Sequence, residues 1–295
     1  MEVTRTFAGT REQYDGSVGL LPTLGYFHEG HLQLMDLLRD QCDTLVVSLF
    51  VNPTQFNETE DFAAYPRDEE RDGSLAAEHG VDLLFAPTTD EVYPGESVTT
   101  VDVISVSDEM EGRHRPGHFV GVATVVAKLF AGLRPDVAMF GRKDAQQLAV
   151  LKAMVRDLRF PIEIVEAPVV REPDGLALSS RNVRLGRTER ERALAISRGL
   201  FQAAEQVDAG EVRGERLEAT VHRSMRGLEV DYAQLASQET MKPIETLDRP
   251  AVLATAAHVG TVRLIDNIAF DFVDGSVVPD RGILLDAPSS LTSVA

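Results

Sequence analysis

Short apolar runs alternate with amphipathic helical patterns through the first half of this chain, and that order constrains the fold more than any other feature. The runs near Val18–Leu21, Leu45–Val51, Val81–Ala86, Val137–Phe140 and Ile162–Val165 have strand length. Between them, His31–Arg39, Gly121–Leu133 and Asp144–Leu158 carry apolar residues at helical spacing. In the last of these, Gln147, Leu148, Leu151, Met154, Val155 and Leu158 keep a rhythm that buries one face against a sheet. Strand–helix–strand order predicts an α/β fold, a doubly wound, Rossmann-like parallel sheet. Sheets of that kind bind ligands beyond the carboxyl ends of their strands.

Three segments follow predicted strand ends and therefore converge on one crevice: Pro22-Thr23-Leu24-Gly25-Tyr26-Phe27-His28-Glu29-Gly30-His31, Asn52-Pro53-Thr54-Gln55 and Gly141-Arg142-Lys143-Asp144. In the first, Gly25 lets the backbone turn, and His28 and His31 fall at the mouth of a helix. Free backbone N–H groups and the positive end of the helix dipole favour an anion there, and two imidazoles can reach one phosphate chain together. Half of a zinc site is the competing reading. The single cysteine, Cys42, leaves it no CxxC partner, and His-x-x-His is not the HExxH helix of metalloproteases. Two plain surface histidines would account for the motif if it stood alone.

Composition narrows the partners. A length of 295 residues allows two domains and a large core, and 43% hydrophobic with 26% charged residues fits a soluble globular protein. With 29 basic and 47 acidic side chains the net charge is −18, a field that repels nucleic acid. A small anion such as ATP then needs a local cluster of donors. Lysine occurs only at 128, 143, 152 and 242, so Lys143, beside a glycine after a strand, invites a functional reading. No apolar run approaches a bilayer span and the start, Met1-Glu2-Val3-Thr4-Arg5, lacks a signal-peptide pattern. The sequence thus predicts a cytoplasmic protein with no membrane partner, and one cysteine agrees with a reducing compartment.

The turn Glu172-Pro173-Asp174-Gly175 predicts a boundary, with a nucleotide- and substrate-binding domain at 1–173 and a smaller α+β domain at 174–272 that closes over the crevice. Thr188-Glu189-Arg190-Glu191 offers a capping box for a long helix, and strands are expected at Val230–Leu235, Ala251–Ala254 and Thr261–Ile265. The tail, 273–295, follows no strong periodicity.

Several motifs in order carry a resemblance: Pro22-Thr23-Leu24-Gly25 with His28-Glu29-Gly30-His31, Phe50-Val51-Asn52-Pro53-Thr54-Gln55-Phe56, Tyr65-Pro66-Arg67, Arg115-Pro116-Gly117-His118-Phe119, Gly141-Arg142-Lys143-Asp144-Ala145-Gln146-Gln147-Leu148 and Asp174-Gly175-Leu176-Ala177-Leu178-Ser179-Ser180-Arg181-Asn182. Together with Arg263-Leu264-Ile265-Asp266-Asn267, they closely resemble the pantothenate synthetase family. The resemblance implies a nucleotidyltransferase fold of the HIGH type and ATP-dependent condensation of pantoate with β-alanine through a pantoyl adenylate, releasing AMP and pyrophosphate. It also implies a homodimer and magnesium.

Carried onto this sequence, the resemblance gives His28, His31, Lys143, Ser179, Ser180 and Arg181 catalytic roles. ATP is expected against Pro22, Thr23, Leu24, Gly25, His28, Gly30, His31, Gly141, Lys143, Asp144, Val170, Leu178, Ser179, Ser180 and Arg181. Pantoate is expected against Leu24, Asn52, Gln55, Arg115, His118 and Gln147, and Asp72 is the best match to a metal ligand. Leu24 and Leu178 stand where the family commonly has methionine, Arg142 where it has glutamate, Ala145 where it has tyrosine, and Arg71 intrudes into the acidic run Asp68-Glu69-Glu70-Arg71-Asp72. A nucleotidyltransferase acting on another substrate shares the histidine loop, and a non-catalytic nucleotide-binding descendant would keep the same donors.

Overall fold

The computed structural model describes residues 1–57 and 59–290. Six strands form a parallel sheet: β1 (Glu2–Thr4), β2 (Val18–Thr23), β3 (Thr44–Leu49), β4 (Leu83–Phe85), β5 (Val137–Gly141) and β6 (Glu163–Ala167), in the order β1-β4-β3-β2-β5-β6. Successive residues of a strand point to opposite faces. Leu20, Val46 and Ala138 accordingly join Val122, Val126 and Leu151 in a core beneath the helices His118–Leu133 and Ala145–Leu158. Leu21, Val47 and Met139 join Met35, Leu38 and Ala76 beneath the helices Glu29–Arg39 and Glu69–Glu78 on the other face. Burial on both faces explains why β2, β3 and β5 read as continuous apolar runs. The chain winds from β2 toward β3 and β4 on one side and resumes at β5 on the other, so the switch point opens between β2 and β5.

Beyond β7 (Val170–Arg171) the chain builds a second, antiparallel sheet from β8 (Glu229–Ser237), β9 (Ala251–Val259), β10 (Val262–Val273) and β11 (Ser276–Asp280), in the order β11-β10-β9-β8. One face, with Leu235, Leu253 and Ile268, is covered by the helices Arg187–Asp208 and Gly214–Ser224 through Ile196, Leu200, Leu217 and Val221. The other face, with Ala236, Val252 and Ala254, packs on Ala149 of the helix Ala145–Leu158. A small alanine-rich contact lets the two units approach closely.

Charge pairs flank that contact. The fully buried Arg171 guanidinium donates to both oxygens of Asp266, at 2.7 and 3.0 Å, and to the carbonyls of Gly175, Asn267 and Arg281. Arg263 grips Glu111 through two nitrogens, at 2.7 and 2.8 Å, and Asp231 at 2.7 Å, which ties β10 to the short helix Met110–His114 of the first unit.

The structure departs from the sequence expectations at several places. The long helix starts at Arg187, and its N-cap is Gly186, whose N–H donates to Glu189 at 2.9 Å; Thr188 and Glu191 do not form the expected box. β10 continues past Asn267 to Val273. In the tail, whose sequence follows no strong periodicity, β11 extends the second sheet and β12 (Ile283–Leu284) pairs in parallel with β7. Positions 291–295 of that tail lie outside the described residues. Among the described residues, no helix is long and apolar enough to cross a membrane.

Candidate active site

At the end of β2 the backbone enters the left-handed region twice in succession, at Gly25 (φ +88) and Tyr26 (φ +54). A side chain is rarely held at such a φ without outside support. Asp72 supplies it, because its carboxylate accepts from the N–H of Tyr26 at 2.6 Å and of Phe27 at 2.7 Å. Burial pushes the Asp72 carboxyl above its ordinary range, and the two amide donors offset that only in part. Arg71 lies over the Tyr26 ring at 5.3 Å and beside Asp72 at 3.4 Å. Asp72, the best match to a metal ligand in the acidic run, braces this turn: it does not line the cavity described below, and its oxygens accept from two amides. Gly25 does not line the cavity either. A Cβ there would sit 2.4 Å from Leu49, so its part is to permit the turn.

The braced turn delivers two histidines to the helix Glu29–Arg39. His28 is the N-cap, and its Nδ1 accepts from Gly30 N–H at 3.1 Å; His31 Nδ1 accepts from His28 N–H at 3.4 Å. The two rings lie 4.1 Å apart. Burial lowers the pKa of His28 well below the usual histidine value and that of His31 to about 4, with Lys143 adding to the shift in each. Both rings are therefore neutral near pH 7. With Nδ1 accepting, the proton resides on Nε2, so each ring offers one N–H donor.

A cavity of about 250 Å3 opens beside these rings at the switch point. Pro22, Thr23 and Leu24 from the end of β2 line it with His28, Gly30 and His31. Gly141, Lys143 and Asp144 close it from the end of β5, and Val170, Leu178, Ser179, Ser180 and Arg181 from the chain leaving the first sheet. Residues far apart in sequence thus face one space. Ser179 caps a short 3-10 turn by accepting from Arg181 N–H at 3.2 Å, and Ser180 Oγ lies 3.3 Å from the Tyr65 hydroxyl.

Asn52, Gln55, Arg115, His118 and Gln147 line the same cavity. His118 Nδ1–H donates to the Gln55 carbonyl at 2.8 Å, which leaves Nε2 to accept from Arg115 at 3.2 Å. Burial, with Arg115 alongside, lowers its pKa to about 4. Asn52 is committed within the loop: Nδ2 donates to Gln55 Oε1 and to the Gly121 carbonyl, and Oδ1 accepts from Tyr93 and Thr54. It acts as a bracket that holds Gln55, which keeps its Nε2 donor for a ligand. Within the described residues the Gln147 side chain makes no hydrogen bond, and it lines the cavity.

Lys143 is anchored through its backbone. Asn267 Nδ2, on β10, donates to the carbonyls of Arg142 at 3.0 Å and Lys143 at 2.7 Å. Arg142 itself binds Glu166 and Asp271 at 2.7 Å and Asp280 at 2.9 Å, so it forms a strut between the sheets. Ala145 packs into the contact between the units. Arg142 and Ala145, two of the departures from the family pattern, thus both serve the contact between the units.

Several lining residues carry no functional signal in the sequence. Val122, Val125, Val126 and Leu129 form an apolar wall, but their spacing on the helix His118–Leu133 is that of any buried face and carries no signal of a cavity. Tyr65, from the motif Tyr65-Pro66-Arg67, also lines the cavity beside Ser180.

A family model for Pantoate-beta-alanine ligase matches residues 1–269. The chain belongs to that family. Among curated ligases, the pantothenate synthetase of Moorella thermoacetica is 47% identical over 287 residues, covering 93% of this chain and 100% of that protein. Pantothenate synthetase 1 of Bradyrhizobium diazoefficiens is 47% identical over 273 residues, 92% of this chain and 96% of that one. Among solved ligases, pantothenate synthetase from Thermus thermophilus superposes with a TM-score of 0.87 at 43% identity, over 90% of this chain and 98% of that one. The Francisella tularensis ligase complexed with beta-gamma ATP and beta-alanine gives 0.76 at 32% identity, over 91% and 97%.

Proposed function

We propose that this ligase joins pantoate to β-alanine at the expense of ATP, by way of a pantoyl adenylate formed and consumed in the cavity beside His28 and His31. One observation carries the reading: neutral imidazole donors, an ammonium, two hydroxyls and a guanidinium, from segments 22–31, 141–144 and 178–181, surround a single space at the switch point.

A carboxylate acylates an amine poorly, so activation comes first. A pantoate carboxylate oxygen attacks the α-phosphorus of ATP, the bond to the bridging oxygen breaks, and pyrophosphate leaves. The amine of β-alanine then attacks the acyl carbon, loses a proton as the amide forms, and AMP departs with the oxygen that came from pantoate. Both steps need anions brought together and developing charge met by fixed donors. His28 and His31 offer Nε2–H, Lys143 its positive charge, and Ser179, Ser180 and Arg181 further donors. Gln55 and Gln147 orient the polar end of pantoate, and the valine wall accepts its methyl groups.

Among the described residues, no group of three or more His, Cys, Asp or Glu side chains is placed to hold a metal. The donor set does not suit a protein-held magnesium. In this reading the ion arrives on the ATP phosphates with its remaining water, as is common for Mg2+, and no step above depends on a protein ligand to it. The reading also includes a unit at 174–272 covering the crevice, a homodimer and a cytoplasmic site of action.

Isotope transfer tests the adenylate. With both pantoate carboxylate oxygens labelled as 18O, one label appears in AMP; unlabelled AMP formed alongside labelled pantothenate would exclude the intermediate.

A further inference from the structure

Residues 283–290 form a strap across the nucleotide side of the molecule. β12 pairs with β7, where Ile283 N–H donates to the Val169 carbonyl at 2.8 Å and Leu285 N–H to the Arg171 carbonyl at 2.9 Å. Farther on, the fully buried Ser289 donates through its N–H to Glu172 at 2.9 Å and through its hydroxyl to Glu29, and Ser290 N–H donates to Glu29 at 2.7 Å. The strap therefore reaches the first turn of the helix that carries the two histidines. These contacts lie beyond the residues matched by the family model.

Glu29 stands between His28 and Gly30, yet those neighbours line the cavity and Glu29 does not. Its carboxylate faces the strap. Burial raises the Glu29 pKa, and the Ser289 hydroxyl and Ser290 N–H outweigh it, so the group stays ionised at neutral pH. An anionic side chain at this helix start competes for the same backbone donors and dipole that favour a phosphate. We propose that the C-terminal strap, through Ser289 and Ser290, holds the Glu29 carboxylate out of the phosphate-binding cup. This rests on the ATP reading above and adds to it a residue that sets nucleotide affinity without touching the nucleotide.

Release of the strap frees the carboxylate to turn toward the triphosphate, where one misplaced charge lowers affinity by about tenfold or more. A chain ending at Asp286 keeps β12 and removes both donors. Steady-state kinetics on this variant should show the KM for ATP raised about tenfold, with the KM for pantoate within twofold of wild type. Glu29→Gln added to the truncated chain should restore most of the ATP KM, since it removes the charge and not the geometry. A merely structural strap would give no such rescue. Should the truncated chain fail to fold, Ser289→Ala combined with Ser290→Pro, which together remove both donors, asks the same question on the full-length protein with and without Glu29→Gln. An unchanged ATP KM in the folded truncation or in the Ser289→Ala, Ser290→Pro double variant, or a raised KM that Glu29→Gln fails to lower, overturns the proposal. Absence of pantothenate formation by the wild-type protein would instead overturn the ATP reading on which it rests.

Discussion

Asn267 on the second sheet reaches into the first unit and donates to the backbone carbonyl of Lys143 at 2.7 Å. The side chain is buried, and the same amide group holds the Arg142 carbonyl. The position of the ammonium beside His31 is thus set by a residue more than a hundred positions away in sequence. Asn267→Ala removes both bonds and leaves two carbonyls to find other partners, at about 1–3 kcal/mol for the lost groups. We expect kcat/KM for ATP to fall about tenfold, the equivalent of ~1.4 kcal/mol, with pantoate affinity little changed. Kinetics with each substrate varied in turn checks it.

Gln146 and Gln147 are neighbours with different work. Gln146 accepts from Glu111 N–H and donates to the carbonyls of Val106 and Glu109, which fixes the loop before the helix His118–Leu133. Gln147 faces the cavity. Gln146→Ala should lower the unfolding midpoint, with about 1–3 kcal/mol lost, whereas Gln147→Ala should leave it unchanged and raise the KM for pantoate. Thermal melts and kinetics on the two variants separate the roles; equal losses of stability would argue against the assignment.

Stability should decline with acid in a defined window. His31 and His118 titrate near 4 in the folded chain against about 6.5 when unfolded, so between these values the unfolded state binds more protons. The stabilisation is complete above about pH 6.5 and is lost as pH falls toward 4. Urea denaturation across that range should show the slope, and His31→Asn should flatten it. An equal slope in the variant would remove His31 from the account.

Arg171 and Asp266 form a buried pair with satisfied geometry. Asp266→Ala strands a guanidinium in the contact between β7 and β10, and about 3–5 kcal/mol of stability should be lost. Loss of less than 1 kcal/mol in urea denaturation would show that the pair is not needed once water enters.

Much of the fold was legible because strand alternation and helical spacing are local. Leu20 and Leu21 serve opposite faces, and that double burial is what makes Val18–Leu21 read as a strand. The converging loops were legible for the same reason, since each directly follows such a run. What escaped notice depends on distance. Asp72 sits in an acidic run that gives no sign of a brace, and only the fold brings the amides of Tyr26 and Phe27 to its oxygens. The strap near Ser289 holds on through backbone N–H groups and hydroxyls, which leave no hydrophobic period. β1 spans three residues, too short for any pattern. The valines of the helix His118–Leu133 face a cavity where a core was an equally good reading.

The central claim, that Lys143 and the two histidines assemble an amide-forming site, meets its most direct test in the product mixture. Mass detection after mixing the protein with pantoate, β-alanine, ATP and magnesium should show one pantothenate per AMP and pyrophosphate. The Lys143→Ala variant should be slower by about 10²–10³, as for loss of a preorganised charge-stabilising donor. No pantothenate from the wild type, or near wild-type turnover by Lys143→Ala, would contradict the account.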